Sequence, residues 1–249
     1  MSDNLIELLK GTTPTSIRVV QLGQLNAYCW QLAGVPLGDG KYWMYQDRNA
    51  WIKLIEDGIE IEIQKFSNSH DQVQIFDNPK HLYLTTDGYE PGPGGLVGFA
   101  CTMKAAITNG NLEDYRDGFC AFNALDFGSG MVFDIVSNGH KIWAIYERLL
   151  IPGLTSSEQA FTNVIPIDRL TSAEETLHCA IIYDRNNDIA EYYIAGEMIG
   201  RAENIPVKVD KLQTGFGIIT LHPIENGKSV SCRGQGGRGV WGGFEVFSK

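Results

Sequence analysis

Apolar residues recur with a period of two over most of the chain, and three of these runs fold back at short Asn/Asp/Gly turns. Successive side chains of a strand point to opposite faces, so this pattern commits the chain to antiparallel hairpins and leaves little room for helix. Asp57-Gly58 is a strong two-residue turn signal. It sets Leu54 opposite Ile61 and Ile52 opposite Ile63, with Lys53 opposite Glu62 and with Glu60 and Gln64 on the same wet face. Asn138-Gly139 pairs Asp134 with Trp143, Phe133 with Ala144 and Met131 with Tyr146. Asn186-Asn187 pairs Ile182 with Glu191 and Ile181 with Tyr192. Further strands are expected at 80–85, 96–103, 119–126, 215–221 and 240–247. Strands of this number and turn spacing predict an all-β fold, a two-sheet antiparallel sandwich. The expectation is one domain over 1–249, with 1–42 as an N-terminal extension packing on it. Leu5, Leu8 and Leu9 predict a short N-terminal helix whose stripe docks on the chain's own core or on a second copy in a homodimer. Residues 171–175 have the composition of a capped helical turn.

The second hairpin differs from the first. Met131, Phe133, Ile135, Ile142, Ala144 and Tyr146 form one face. Val132, Val136, Trp143 and Ile145 form the other, with Asp134 and Glu147 among them. A strand pair that is apolar on both faces is covered on both sides. One side is the core between sheets. The other lies under loops, for which 87–95 and 150–176 are available, or it lines an apolar cavity.

Composition removes several function classes. The 249 residues carry 30 acidic against 20 basic side chains, a net charge of -10, and only 20% are charged. Phosphate neutralisation needs a basic face, so nucleic acid and anionic membrane are excluded as partners. The N-terminal apolar run is interrupted by acids and no stretch approaches the roughly 18 apolar residues of a span, which predicts a cytoplasmic protein. Cys29, Cys101, Cys120, Cys179 and Cys232 are odd in number and widely spaced, and three of them lie in apolar runs, as reduced buried thiols do. Only Cys179, beside His178, has a neighbour of the kind that activates a nucleophile. No CxxC pair, His/Cys cluster, serine nucleophile elbow or nucleotide fingerprint occurs, and the Gly-rich run 234–243 lacks the context of a phosphate loop. No cofactor and no metal are expected.

Four segments resemble the concanavalin A-like lectin/glucanase jelly roll, and specifically a bacterial family of that fold without an assigned function. They are Tyr115-Arg-Asp-Gly-Phe-Cys-Ala-Phe122, Met131-Val-Phe-Asp134, Ile145-Tyr-Glu-Arg-Leu149 and Cys232-Arg-Gly-Gln-Gly-Gly-Arg-Gly-Val-Trp241. The resemblance implies two curved antiparallel sheets with ligand on the concave face. Retaining glucanases of that fold carry Glu-x-Asp-x-(x)-Glu on one strand, because two carboxylates must flank the scissile bond. This chain lacks the motif: Ile59-Glu-Ile-Glu62 faces water in the first hairpin, and Asp134 stands alone.

If the face of the second hairpin that carries Asp134 and one face of the third are both the concave one, Asp134, Glu147, Trp143, His178, Glu191 and Tyr193 converge. Glu147, Asp134, His178 and Glu191 are then the candidate acids and bases, since partial desolvation moves such groups toward neutrality. Trp143, Tyr146, Arg148 and Tyr193 are the candidate substrate contacts, the Tyr146/Arg148 pair being suited to a carboxylate or enolate. The competing reading gives the third hairpin a solvated outer face and pairs Asp134 and Glu147 with Lys141 or Arg148. The favoured expectation is a cofactor-independent enzyme of cyclase, isomerase or lyase type acting on a hydrophobic or aromatic small molecule. The alternatives are a carbohydrate-binding or glycan-active protein and a non-catalytic binding module.

Overall fold

The computed structural model describes residues 16–19, 29–56, 58–71 and 79–249. The first strands are β1 (Ser16–Val19), β2 (Trp30–Leu32), β3 (Gly34–Gly38), β4 (Lys41–Met44), β5 (Ala50–Ile55), β6 (Gly58–Ile63), β7 (Pro79–Thr85) and β8 (Leu96–Thr108). They are followed by β9 (Phe119–Asp126), β10 (Met131–Ser137), β11 (Lys141–Arg148), β12 (Phe161–Leu170), β13 (Leu177–Asp184), β14 (Ile189–Ile194), β15 (Glu197–Ala202), β16 (Gln213–Ile219) and β17 (Gly236–Ser248). One sheet runs β15-β14-β13-β8-β17-β6-β5, with β1 also on β17, and the other runs β12-β11-β10-β9-β16-β7-β2. β3 and β4 form a separate hairpin. The two-sheet antiparallel sandwich expected from the period-two pattern is therefore the fold. The expected helix at Leu5, Leu8 and Leu9 lies outside the described residues. β2 is not an appendage but the edge strand of the second sheet, paired with β7.

The sheets meet over a core rich in aromatic side chains. Trp30 packs edge-on against Phe216 and Phe244, at 5.0 and 4.9 Å between ring centres, and Phe133 stacks on Tyr183 at 5.5 Å. Buried Trp and Tyr need partners for their polar tips, and here those partners lie across the sandwich. Trp241 Nε1 donates to the Ala121 carbonyl and Tyr192 Oη to that of Ile145. The buried thiols of Cys101, Cys120 and Cys179 belong to this core. Burial pushes the Cys179 thiol up to about 12, which leaves it inert beside His178.

Two hairpin registers differ from expectation by two residues. In the first, Ile52 opposes Ile61 and Leu54 opposes Ile59, with Ile55 opposite Gly58. Gly58 is thus a strand residue and not a turn residue (Asp57 lies outside the described residues). A Cβ at Gly58 would stand 2.2 Å from the Trp241 carbonyl oxygen, so the glycine is there to let β17 approach. In the second, Asp134 opposes Ile145 and Val136 opposes Trp143. The Asn138 side chain accepts from the backbone N–H of both His140 and Lys141 and widens the turn. A two-residue shift keeps every side chain on its expected face. The third hairpin has the expected register, Ile182 opposite Glu191. Residues 171–175 form a turn, closed by Thr171 Oγ1 donating to Glu175, and not helix.

Glu60, expected to be wetted, is largely buried and accepts from Arg238 Nε at 2.6 Å, because β17 covers β6 on the side away from β5. Gly58→Ala is expected to destabilise the fold by about 1–3 kcal/mol, since backbone has to move to admit the methyl group. A lowered urea midpoint at unchanged slope is the measurement that checks it.

Candidate functional site

The outer face of the seven-stranded sheet is covered at both ends and open between. Over β7, the β3–β4 hairpin and Tyr45 pack on Leu82, Leu84, Leu125 and Val132. Gly215 and Gly217 let β7 lie close against β16: a Cβ on either would meet β7 backbone oxygen at 2.5 or 2.2 Å. At the other end, Tyr115 covers a cluster of Phe119, Val136, Trp143, Ile145 and Leu221. Between the two covers lies a cavity of about 180 Å³. Its walls are mostly apolar, with Phe119, Leu125, Phe127, Val132, Leu149 and Phe161 among them. The polar residues among its lining are Tyr45, Asn123, Asp134, Glu147, Arg148 and Thr162. This is the second covered face that the apolar pattern of the second hairpin predicts.

Asp134 and Glu147 stand on neighbouring strands, one diagonal step apart, because Asp134 opposes Ile145. Each is held from its other side by a cross-strand neighbour. Asn123, directly opposite Asp134 on β9, donates Nδ2 to Asp134 Oδ1 at 2.5 Å. Thr162, directly opposite Glu147 on β12, donates Oγ1 to Glu147 Oε2 at 2.8 Å. Among the described residues neither acid has a cation: Lys141 pairs with Glu113, and the Arg148 Nε donates to the Ser129 carbonyl. Burial holds the Glu147 carboxyl up at about 7. Burial and then the nearby charge of Glu147 hold Asp134 well above the usual carboxylate range. Such a site can donate a proton from one carboxyl and accept one at the other near neutral pH. Thr162→Val removes a donor to the charged form, so the Glu147 carboxyl is expected to titrate above about 7 in a ¹³C NMR experiment.

The other candidates divide by sheet. Trp143 shares the face of Glu147, but it is packed among Phe119, Ile145 and Leu221 and contributes to the cover. Tyr146 points into the inter-sheet core against Phe161. Arg148, at the end of β11, lines the cavity. His178, Glu191 and Tyr193 lie on β13 and β14 of the other sheet, so they do not join Asp134 and Glu147. His178 is exposed, and Tyr193 Oη donates to Glu191 at 2.7 Å on that outer face. The expectation that both hairpins present one surface is corrected: each hairpin register is sound as to faces, but a register does not say which sheet a hairpin joins. Asn123 and Thr162 were not foreseen. The signal for Asn123 is its position as the one polar side chain in Phe119-Cys-Ala-Phe-Asn-Ala-Leu125.

The fold compares closely with solved glucanases. A β-glucanase of Bacillus licheniformis superposes with a TM-score of 0.56 at 11% identity, covering 95% of this chain and 100% of that one. The catalytic domain of an endo-1,3-β-glucanase (laminarinase) from Thermotoga petrophila RKU-1 gives 0.53 at 11%, covering 95% and 98%. An endo-1,3-β-glucanase from Streptomyces sioyaensis gives 0.51 at 10%, covering 95% and 97%. These likenesses show the concanavalin A-like jelly roll. They also overturn the expectation of a cyclase- or isomerase-type enzyme for hydrophobic molecules. No curated protein matches the sequence. A family model described as "Family of unknown function (DUF6081)" matches residues 26–249.

Proposed function

The chain belongs to the DUF6081 family, and for this member of it we propose carbohydrate activity: the cavity takes a sugar ring, and Asp134 and Glu147 cleave the glycosidic bond beside it. The observation that carries the reading is the pair of buried carboxyls facing one cavity, each fixed by a single cross-strand donor. Support also comes from the fold shared with glucanases. The cavity's size adds to this: about 180 Å³ lies below the roughly 300–1,000 Å³ of a drug-sized pocket and suits one ring. Phe119 and Phe127 offer apolar ring faces, while Asn123 Oδ1 is a buried acceptor without a partner among the described residues, suited to a sugar hydroxyl. In the proposed reaction Asp134 gives its proton to the glycosidic oxygen as the C–O bond breaks. Glu147 takes a proton from the water whose oxygen adds to the anomeric carbon.

A second reading, glycan binding without cleavage, draws on β10 itself. Asp134 is flanked there by Val132 and Val136, where the retaining-glucanase motif has Glu at the corresponding spacing. One experiment separates the two. The protein is incubated with a panel of β-glucan oligosaccharides while new reducing ends are counted and amide shifts are followed. New reducing ends with shifts at Asn123 and Thr162 support cleavage. Shifts without new ends leave binding alone, and neither outcome across the panel defeats both.

A further inference from the structure

We infer that the site works at the end of a glycan chain, taking one terminal ring and releasing it as a monosaccharide; this deepens the reading above and rests on it. The two covers stand at opposite ends of the strands, one over Leu125 and Val132 and the other over Phe119 and Val136. The space between them therefore runs across the strands, over β9, β10, β11 and β12. Along that line exposure rises in order: Asn123 is 1% exposed, Asp134 3% and Glu147 9%, and Thr162 is half-buried on β12, the last strand of the sheet. Leu150, just after β11, and Ala160, just before β12, also line the cavity and are half-buried. The mouth is on the β12 side.

Toward β16 and β7 the same line is stopped. Gly215 lies directly opposite Asn123 and raises no side chain of its own. The space above β16 is filled from β7 instead: Leu84 Cδ2 lies where a Cβ at Gly215 would stand, and Leu82 Cδ1 is 3.1 Å from that of Gly217. Tyr45, 2% exposed, packs on these leucines, and its carbonyl accepts from the Leu82 N–H at 3.2 Å. Side chains packed this closely do not yield to a second ring without losing their contacts. The cavity of about 180 Å³ has room for one ring, so a chain has to enter by its end, with the remainder leaving over Thr162. A groove open on both sides would admit a chain at any point along its length.

The test gives the full chain linear β-1,3 and β-1,4 glucohexaoses and cyclic β-glucans of matching linkage, which have no ends. The products of the first cuts are separated by size, and binding is followed by calorimetry. Monosaccharide and pentasaccharide in equal amounts are expected, with the cyclic glucans uncut and bound at least about tenfold more weakly. Tyr45→Ala opens the stop, so disaccharide is expected to join the first products; a folded variant that still releases monosaccharide alone overturns the assignment of the stop to Tyr45. Di-, tri- or tetrasaccharides among the first products of the native protein overturn the inference while leaving the glycan reading intact. So do cyclic glucans bound as tightly as linear ones, a comparison that decides the matter even if the hexaoses are bound without being cut. Binding of neither set overturns the glycan reading itself.

Discussion

Glu147→Gln is expected to lower the rate of glycan cleavage by about 10²–10⁴-fold while oligosaccharide affinity stays nearly constant. Glutamine preserves the shape and can still accept from Thr162, but it takes no proton from water at neutral pH. Asp134→Asn should cost a comparable factor by removing the donor, and the double variant little more than either alone, because the two carboxyls act as one unit. The pH dependence carries the assignment of roles. Glu147 is held at about 7 and Asp134 well above the usual carboxylate range, so in the proposed roles the active form, Glu147 charged and Asp134 protonated, accumulates as Glu147 ionises. Cleavage should therefore rise through that pH and fall again only when Asp134 ionises. A rate that falls as pH rises through 7 would exchange the roles of the two acids.

Folding stability should record the same buried acid. The Glu147 carboxyl moves from an ordinary 4.5 to about 7 on folding. The native state therefore binds more protons than the unfolded chain between those values, and stability declines as pH rises. The contribution is fully present below about 4.5 and lost above about 7, a change on the order of 3 kcal/mol. Asp134, also raised, acts in the same direction, so the difference between native protein and Glu147→Gln isolates the Glu147 share. Urea unfolding at pH 4.5 and pH 8 should show the variant gaining stability relative to the native protein as pH rises. Equal differences at the two pH values would mean that Glu147 is solvated in the folded protein.

The sandwich and the two carboxyls were legible because both depend on alternation, which is local. A register error of two residues left Asp134 and Glu147 on the face they were expected to share, and the apolar neighbours marked that face as covered. What alternation does not carry is the long-range pairing of strands. His178, Glu191 and Tyr193 were registered within their own hairpin, yet that hairpin joins β8 and not β9. Asn123 and Thr162 become meaningful only when β9 and β12 are laid against β10 and β11. The Asp57-Gly58 signal misled for a similar reason: the need for glycine at 58 comes from β17, about 180 residues away in sequence.

Cleavage by Asp134 and Glu147 requires that a glycan enter the cavity on the seven-stranded sheet. The most direct measurement is a crystal structure of Glu147→Gln grown with an oligosaccharide that the native protein binds or cleaves. A sugar ring in the cavity against Phe119, with the glycosidic oxygen within hydrogen-bond reach of Asp134, is the predicted result. A glycan lying instead across the exposed Trp51 of the other sheet, with the cavity empty, would contradict it.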